Sequence, residues 1–157
     1  VDLLLQPDVA VSGPAALVLF SPLIDLTFGL ARAREELRRD PAIRAVDAAR
    51  LVALYSGSVD PAHQRLTLDV AGGPPLPPTL IQAGGAEMLV ADAGHLTADI
   101  RAAGGNCELQ VWPDQVHVFQ ALPRLSPEAA KAMAQVAHFI DTSRRANGFD
   151  SIAGKAG

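Results

Sequence analysis

The sequence predicts an α/β domain in which a parallel sheet of about three strands is flanked by helices. Short apolar runs alternate with longer stretches of helical period, giving strand, helix, strand, helix, strand, helix along the chain. The first of these runs, Ala15-Ala-Leu-Val-Leu-Phe20, is continuously apolar, as suits a strand covered on both faces. Glycine pairs and prolines separate the segments. Right-handed βαβ crossovers are the expected connections.

The elements follow in order. Ser21-Pro22 ends the first strand. Residues from about Leu30 to Tyr55 have helical character, broken near Asp40-Pro41, because proline lacks an N–H and disfavours helix at the residue before it. Two helices are therefore expected, the second closed by Ser56-Gly57. Residues 60–78 carry Pro61, Gly72-Gly73, Pro74-Pro75 and Pro77-Pro78 and form an irregular connection. Thr79 to Ala83 is the second strand, stopped by Gly84-Gly85. The next helix places Leu89, Ala93, Leu96, Ile100 and Ala103 on one stripe and closes at Gly104-Gly105. Cys107 to Trp112 is the third strand, with Cys107, Leu109 and Val111 on one face. Ser126-Pro127-Glu128 starts the last helix, with Ser126 as N-cap and Met133, Val136 and Ile140 as its apolar stripe. The tail beyond Asn147-Gly148 is expected to fray.

Composition narrows the function. With 49% apolar and 19% charged residues, the 157-residue chain reads as a soluble globular domain. A net charge of −4 and a mixed-sign run at Arg32–Arg39 leave no basic stripe, so no nucleic-acid partner is expected. No apolar run reaches the about 18 residues that span a bilayer, and residues 1 to 7 lack the form of a signal peptide. A cytoplasmic location is the expectation. The single cysteine, Cys107, cannot form an internal disulfide and reads as core. With no His-Glu-x-x-His, Cys-x-x-Cys, Gly-x-Gly-x-x-Gly or P-loop string, neither metal nor cofactor is expected. Three strands make a narrow sheet with an unpaired edge at Ala15 to Phe20, and the chain begins with Val; both suggest a cut domain or a partial reading frame.

Ligands of open parallel sheets collect outside the carboxyl ends of the strands. The loops leaving those ends hold Ser21 and Asp25, then Glu87, then Asp114 and His117. Consecutive strands lie about 5 Å apart, so Glu87 and His117 are within reach of each other. A carboxylate on an imidazole fixes its tautomer and stabilises the imidazolium formed when the ring takes a proton. The plainer reading of Glu87 is an acid at a helix start, and of His117 an ordinary loop histidine. Asp92, one turn into the helix, is the reserve acid, otherwise a cap or a solvated residue; Asp114 reads as a turn residue and Asp25 as a pocket liner. His63, His95 and His138 read as surface or packing residues. No Gly-x-Ser-x-Gly elbow occurs. Ser58 has Asp60 where the second glycine should stand, Ser12 lies between Val11 and Gly13, and Ser21 is followed by Pro22. A His-Gly-Gly-Gly-like string for an oxyanion hole does not occur either.

Three segments carry a family resemblance: Leu17-Val-Leu-Phe-Ser-Pro-Leu-Ile-Asp-Leu-Thr27, Pro77-Pro-Thr-Leu-Ile-Gln-Ala-Gly-Gly-Ala-Glu-Met-Leu89 and Val111-Trp-Pro-Asp-Gln-Val-His-Val-Phe119. They resemble the hormone-sensitive-lipase-like α/β-hydrolases, also called fold-3 or family IV esterases. The stretch from Asp40-Pro-Ala-Ile to Tyr55-Ser-Gly resembles the helix between that family's sixth and seventh strands. The resemblance covers residues 14–145 and leaves 1–13 and 146–157 poorly matched. It implies the C-terminal half of the fold and carboxylic-ester hydrolysis through an acyl-enzyme. It also implies His117 as the triad histidine and Glu87 as the triad acid. The family more often has Asp-Pro-Leu where this chain has Glu87-Met88-Leu89. Its Gly-Asp-Ser-Ala-Gly elbow and His-Gly-Gly-Gly segment map onto no residue here, so the chain alone is expected to be inactive. A small acyl ester is the implied substrate. A second copy pairing through Cys107–Trp112, or a separate N-terminal half, is the implied partner. A non-catalytic module that pairs through the exposed edge strand is the alternative.

Overall fold

A computed structural model describes residues 1–6, 13–57, 59–60, 63 and 68–147. Ser12, Ser58, Pro61 and the tail from Gly148 lie outside the described residues. The sheet has three parallel strands in the order β1 (Leu17–Phe20), β2 (Thr79–Gly84), β3 (Cys107–Trp112). The helices are α1 (Asp2–Leu5), α2 (Gly29–Leu37), α3 (Ala45–Ser56), α4 (Val90–Ala102) and α5 (Pro127–Ala146). The short α1 has no counterpart among the elements read from the sequence. Asp40 marks the break between α2 and α3: its Oδ1 accepts hydrogen bonds from the Ala42 and Ile43 N–H groups. Gly57, at φ 58°, ends α3 in a conformation that costs glycine little.

The centre of the sheet is the best-covered part of the fold. All six β2 residues are buried. Their side chains alternate, as strand geometry requires. Ile81 and Ala83 pack with Ala93, Leu96 and Ile100 of α4 and with Cys107. On the opposite face Gln82 donates from Nε2 to Gln110 Oε1 at 2.8 Å and to the Ala132 carbonyl of α5 at 3.0 Å. Gln120 Nε2 donates to Gln82 Oε1 at 3.1 Å, so this buried amide is held on both its polar atoms. Burying a side chain such as Ile81 contributes roughly 2 kcal/mol.

Four expectations are corrected or refined. The residues of β1 are half-buried, not covered on both faces, because β1 lies at the sheet edge with β2 as its neighbour. The buried face of α5 is Ala129, Ala132, Val136 and Ser143, with Met133 and Ile140 largely exposed. Small residues face the sheet because the α5 backbone approaches closely enough for Gln82 to reach the Ala132 carbonyl. Ser126 occupies the N-cap position, but its hydroxyl bonds Gln115 Oε1 and Glu128 Oε2, not a helix N–H. Similarly, Val111 on β3 is exposed, so the face it shares with Cys107 is covered at one end only.

Candidate active site

The loops at the carboxyl ends of β2 and β3 are joined backbone to backbone. Gly85 N–H donates to the Trp112 carbonyl at 2.7 Å and Ala86 N–H to the Gln115 carbonyl at 3.0 Å. Gly84 makes this approach possible: a Cβ there would stand 2.2 Å from Gln115 O and 2.6 Å from Val116 O. The β3 loop reverses through Asp114 (φ 59°) and Val118 (φ 48°), both in the left-handed region. For a β-branched valine that conformation is an outlier costing about 1–3 kcal/mol, and surrounding contacts must hold it. Asp114, read as a turn residue, does occupy the turn, and its carboxylate pairs with Arg38 at 2.8 Å on the surface.

These loops bring Glu87 and His117 together. Glu87 is 1% exposed, and its Oε2 lies 2.8 Å from His117 Nδ1. Its other oxygen, Oε1, accepts hydrogen bonds from Gly84 N–H and from the Ser21 hydroxyl, both at 2.7 Å. None of these partners is an N–H of α4, so the carboxylate is not used as that helix's cap. The His117 side chain remains 30% exposed while the acid behind it is sealed. With Nδ1 facing the carboxylate, Nε2 is the ring atom left for a proton acceptor's work.

The reserve acid goes elsewhere. Asp92 is completely buried on α4, and its Oδ1 accepts the Ile24 and Asp25 N–H groups at 3.1 and 3.0 Å. Its Oδ2 has no hydrogen-bond partner among the described residues, and burial pushes its carboxyl above the ordinary value. Asp25 folds its own loop, accepting from Thr27 N–H and Leu30 N–H. Burial raises its carboxyl, but the Thr27 hydroxyl and the backbone donors outweigh this and hold it below the ordinary value. It also lines a cavity of about 570 Å³ with Leu23, Thr27, Tyr55 and His95. His95 is exposed and 3.6 Å from Asp99, and His63 and His138 lie on the surface.

Three contributors escaped sequence reasoning. Ser21, set aside there as a nucleophile, instead donates to Glu87 and accepts the Val118 N–H at 3.1 Å. Asp40 Oδ2 accepts the Met88 N–H at 2.8 Å, one residue beyond the acid. Arg34 Nη2 donates to the Gly85 carbonyl at 3.1 Å. The available signal for Ser21 was its place at the end of the strand next to the one that carries Glu87. For Asp40 and Arg34 nothing local pointed 50 residues ahead.

Known proteins share the sequence and the fold of this chain. A family model described as the alpha/beta hydrolase fold matches residues 3–121. The esterase LipU of Mycobacterium tuberculosis is 36% identical over 133 residues, which are 81% of this chain and 45% of that protein. The carboxylesterase/phospholipase LipF of the same organism is 38% identical over 136 residues, 81% of this chain and 36% of that one. Among solved structures, an esterase of the bacterial hormone-sensitive lipase family superposes with a TM-score of 0.75 at 33% identity, over 83% of this chain and 44% of its own. A hormone-sensitive lipase from a metagenome library gives 0.74 at 30% identity, over 83% and 45%. The chain thus spans less than half the length of these relatives. By sequence and by fold, it belongs to the α/β-hydrolase fold-3 family, in its hormone-sensitive-lipase-like branch.

Proposed function

We propose that this chain carries the acid and the base of a carboxylic-ester hydrolase site, with Glu87 as the orienting acid and His117 as the general base and acid. The observation that carries the reading is the 2.8 Å contact between a sealed carboxylate and Nδ1 of a partly exposed imidazole. In this mechanism His117 Nε2 takes the proton of a serine hydroxyl as it attacks the ester carbonyl. Glu87 stabilises the imidazolium, which then returns the proton to the departing alkoxide. Water repeats the cycle on the acyl-enzyme. Neither an elbow serine nor an oxyanion segment occurs in these 157 residues. Turnover therefore requires a serine-bearing segment beyond these residues.

Hydrolysis of p-nitrophenyl acetate tests this in two arms. The chain alone is expected to give no turnover above buffer; serine-dependent turnover by it, lost in His117→Ala, overturns the division of labour. Joined to the N-terminal part of the 36% identical esterase in place of that enzyme's matching segment, the chain is expected to support turnover. His117→Ala in the chimaera should then cost roughly 10⁴-fold in kcat. An unchanged rate overturns the base assignment.

A second reading is a non-catalytic pairing module. The half-buried edge strand β1 and the exposed Leu51, Leu54 and Tyr55 of α3 favour it. Light scattering over a range of concentrations separates the two, since a monomer at all of them excludes self-pairing.

A further inference from the structure

We propose that Ser21 is a positioning residue for the acid–histidine pair, a role that rests on the reading of Glu87 and His117 given above. Its hydroxyl closes a ring of three hydrogen bonds. Val118 N–H donates to Ser21 Oγ at 3.1 Å, Ser21 Oγ–H donates to Glu87 Oε1 at 2.7 Å, and Glu87 Oε2 meets His117 Nδ1 at 2.8 Å. The peptide bond between His117 and Val118 completes the circuit. All three strands contribute to it: Ser21 follows β1, Glu87 follows β2 and His117 follows β3.

The ring adds a tie that the backbone bonds between the loops do not supply. Gly84 N–H also holds Glu87 Oε1 but comes from the acid's own strand, and the Gly85 and Ala86 N–H groups join the two loops through backbone without touching the carboxylate. Ser21 ties the carboxylate to the backbone next to His117, fixing both ends of the acid–imidazole contact to one atom. The two residues that meet in this tie both have left-handed backbones, Ser21 at φ 46° and Val118 at φ 48°. Such conformations in non-glycine residues persist where surrounding bonds over-determine them. Ser21 is 4% exposed, so its hydroxyl has no water to fall back on and its two bonds hold the geometry. A serine suits the position because one hydroxyl can accept from Val118 and donate to Glu87 at once.

Nitrogen-15 and proton NMR of the histidine-labelled chain tests the role without requiring turnover. The wild-type His117 is expected to show a low-field Nδ1 proton and a predominant Nδ1–H tautomer, both lost in Glu87→Gln. In Ser21→Gly, where glycine adopts the left-handed backbone freely, the Nδ1 proton is expected to exchange roughly tenfold faster. The tautomer preference should weaken with it. Ser21→Ala should behave the same, which separates the hydroxyl from the backbone strain. Amide shifts of β2 and β3 should stay as in the wild type, since a loosened fold would move them too. Wild-type exchange and tautomer in a folded Ser21→Gly chain overturn the proposal alone. A wild-type chain that lacks the Glu87-dependent Nδ1 signal overturns the acid–base reading and the proposal with it.

Discussion

Glu87 and Asp92 are both buried carboxylates five residues apart, Glu87 in the turn before α4 and Asp92 in its first turn, and they have opposite surroundings. Glu87 is held on both oxygens, by Gly84, Ser21 and His117. Asp92 is held on one, by the backbone of Ile24 and Asp25, and its other oxygen has no partner among the described residues. The first arrangement connects two loops through a side chain that can carry a proton. The second pins the loop after β1 to α4 at the cost of a desolvated acid. Burial alone therefore does not distinguish a carboxylate that meets an imidazole from one that holds only backbone. The identity of the partners does.

The largest effect is expected from Gly84→Ala. The new Cβ meets the Gln115 carbonyl at 2.2 Å, so the histidine loop must back away from β2, while the Asp92 contacts are left in place. Urea unfolding should show a loss of about 3 kcal/mol, together with loss of the His117 Nδ1 signal. A mild loss would mean the two loops are not locked to each other. Asp40→Ala comes next. It strips the Ala42, Ile43 and Met88 N–H groups of their acceptor next to Glu87, and about 2 kcal/mol should be lost. Asp40→Asn should recover part of that, because its amide oxygen still accepts.

The smallest effect, and one of opposite sign, is expected from Asp92→Asn. The native carboxyl is raised above 3.8, so the folded state binds the proton more tightly than the unfolded chain. Stability then falls as pH rises through 3.8 toward the raised native value, and the acid is a net cost at neutral pH. Asparagine keeps the oxygen that accepts from Ile24 and Asp25 and removes the charge. The variant should match or exceed the wild type by under about 1 kcal/mol at neutral pH and lose that slope in chemical-denaturation curves. Asp25 works in the other direction. Its lowered carboxyl contributes stability that is lost as pH falls below 3.8, so the two acids act in separate pH windows. A destabilised Asp92→Asn chain would mean that its unpartnered oxygen is satisfied in solution, and the contrast with Glu87 would narrow.

Much of this molecule was decided by local pattern. The period of the apolar residues places β2, α4 and β3, and the proline at 41 separates α2 from α3, because these depend on neighbours a few residues away. The order of the strands also puts Glu87 and His117 on one sheet edge before any distance is known. Tertiary structure alone decided the rest. Only the register of three strands chose Glu87 over Asp92 as the partner of His117, and only packing turned Ser21 from a serine after a strand into the link between them. The α5 stripe was misread for the same reason: which face of a helix is buried depends on how closely its backbone meets the sheet, and here small residues permit the contact that larger ones would prevent. Hydrogen bonds that span between 30 and 97 residues leave no trace in a local window, because the chain brings their ends together only when it folds.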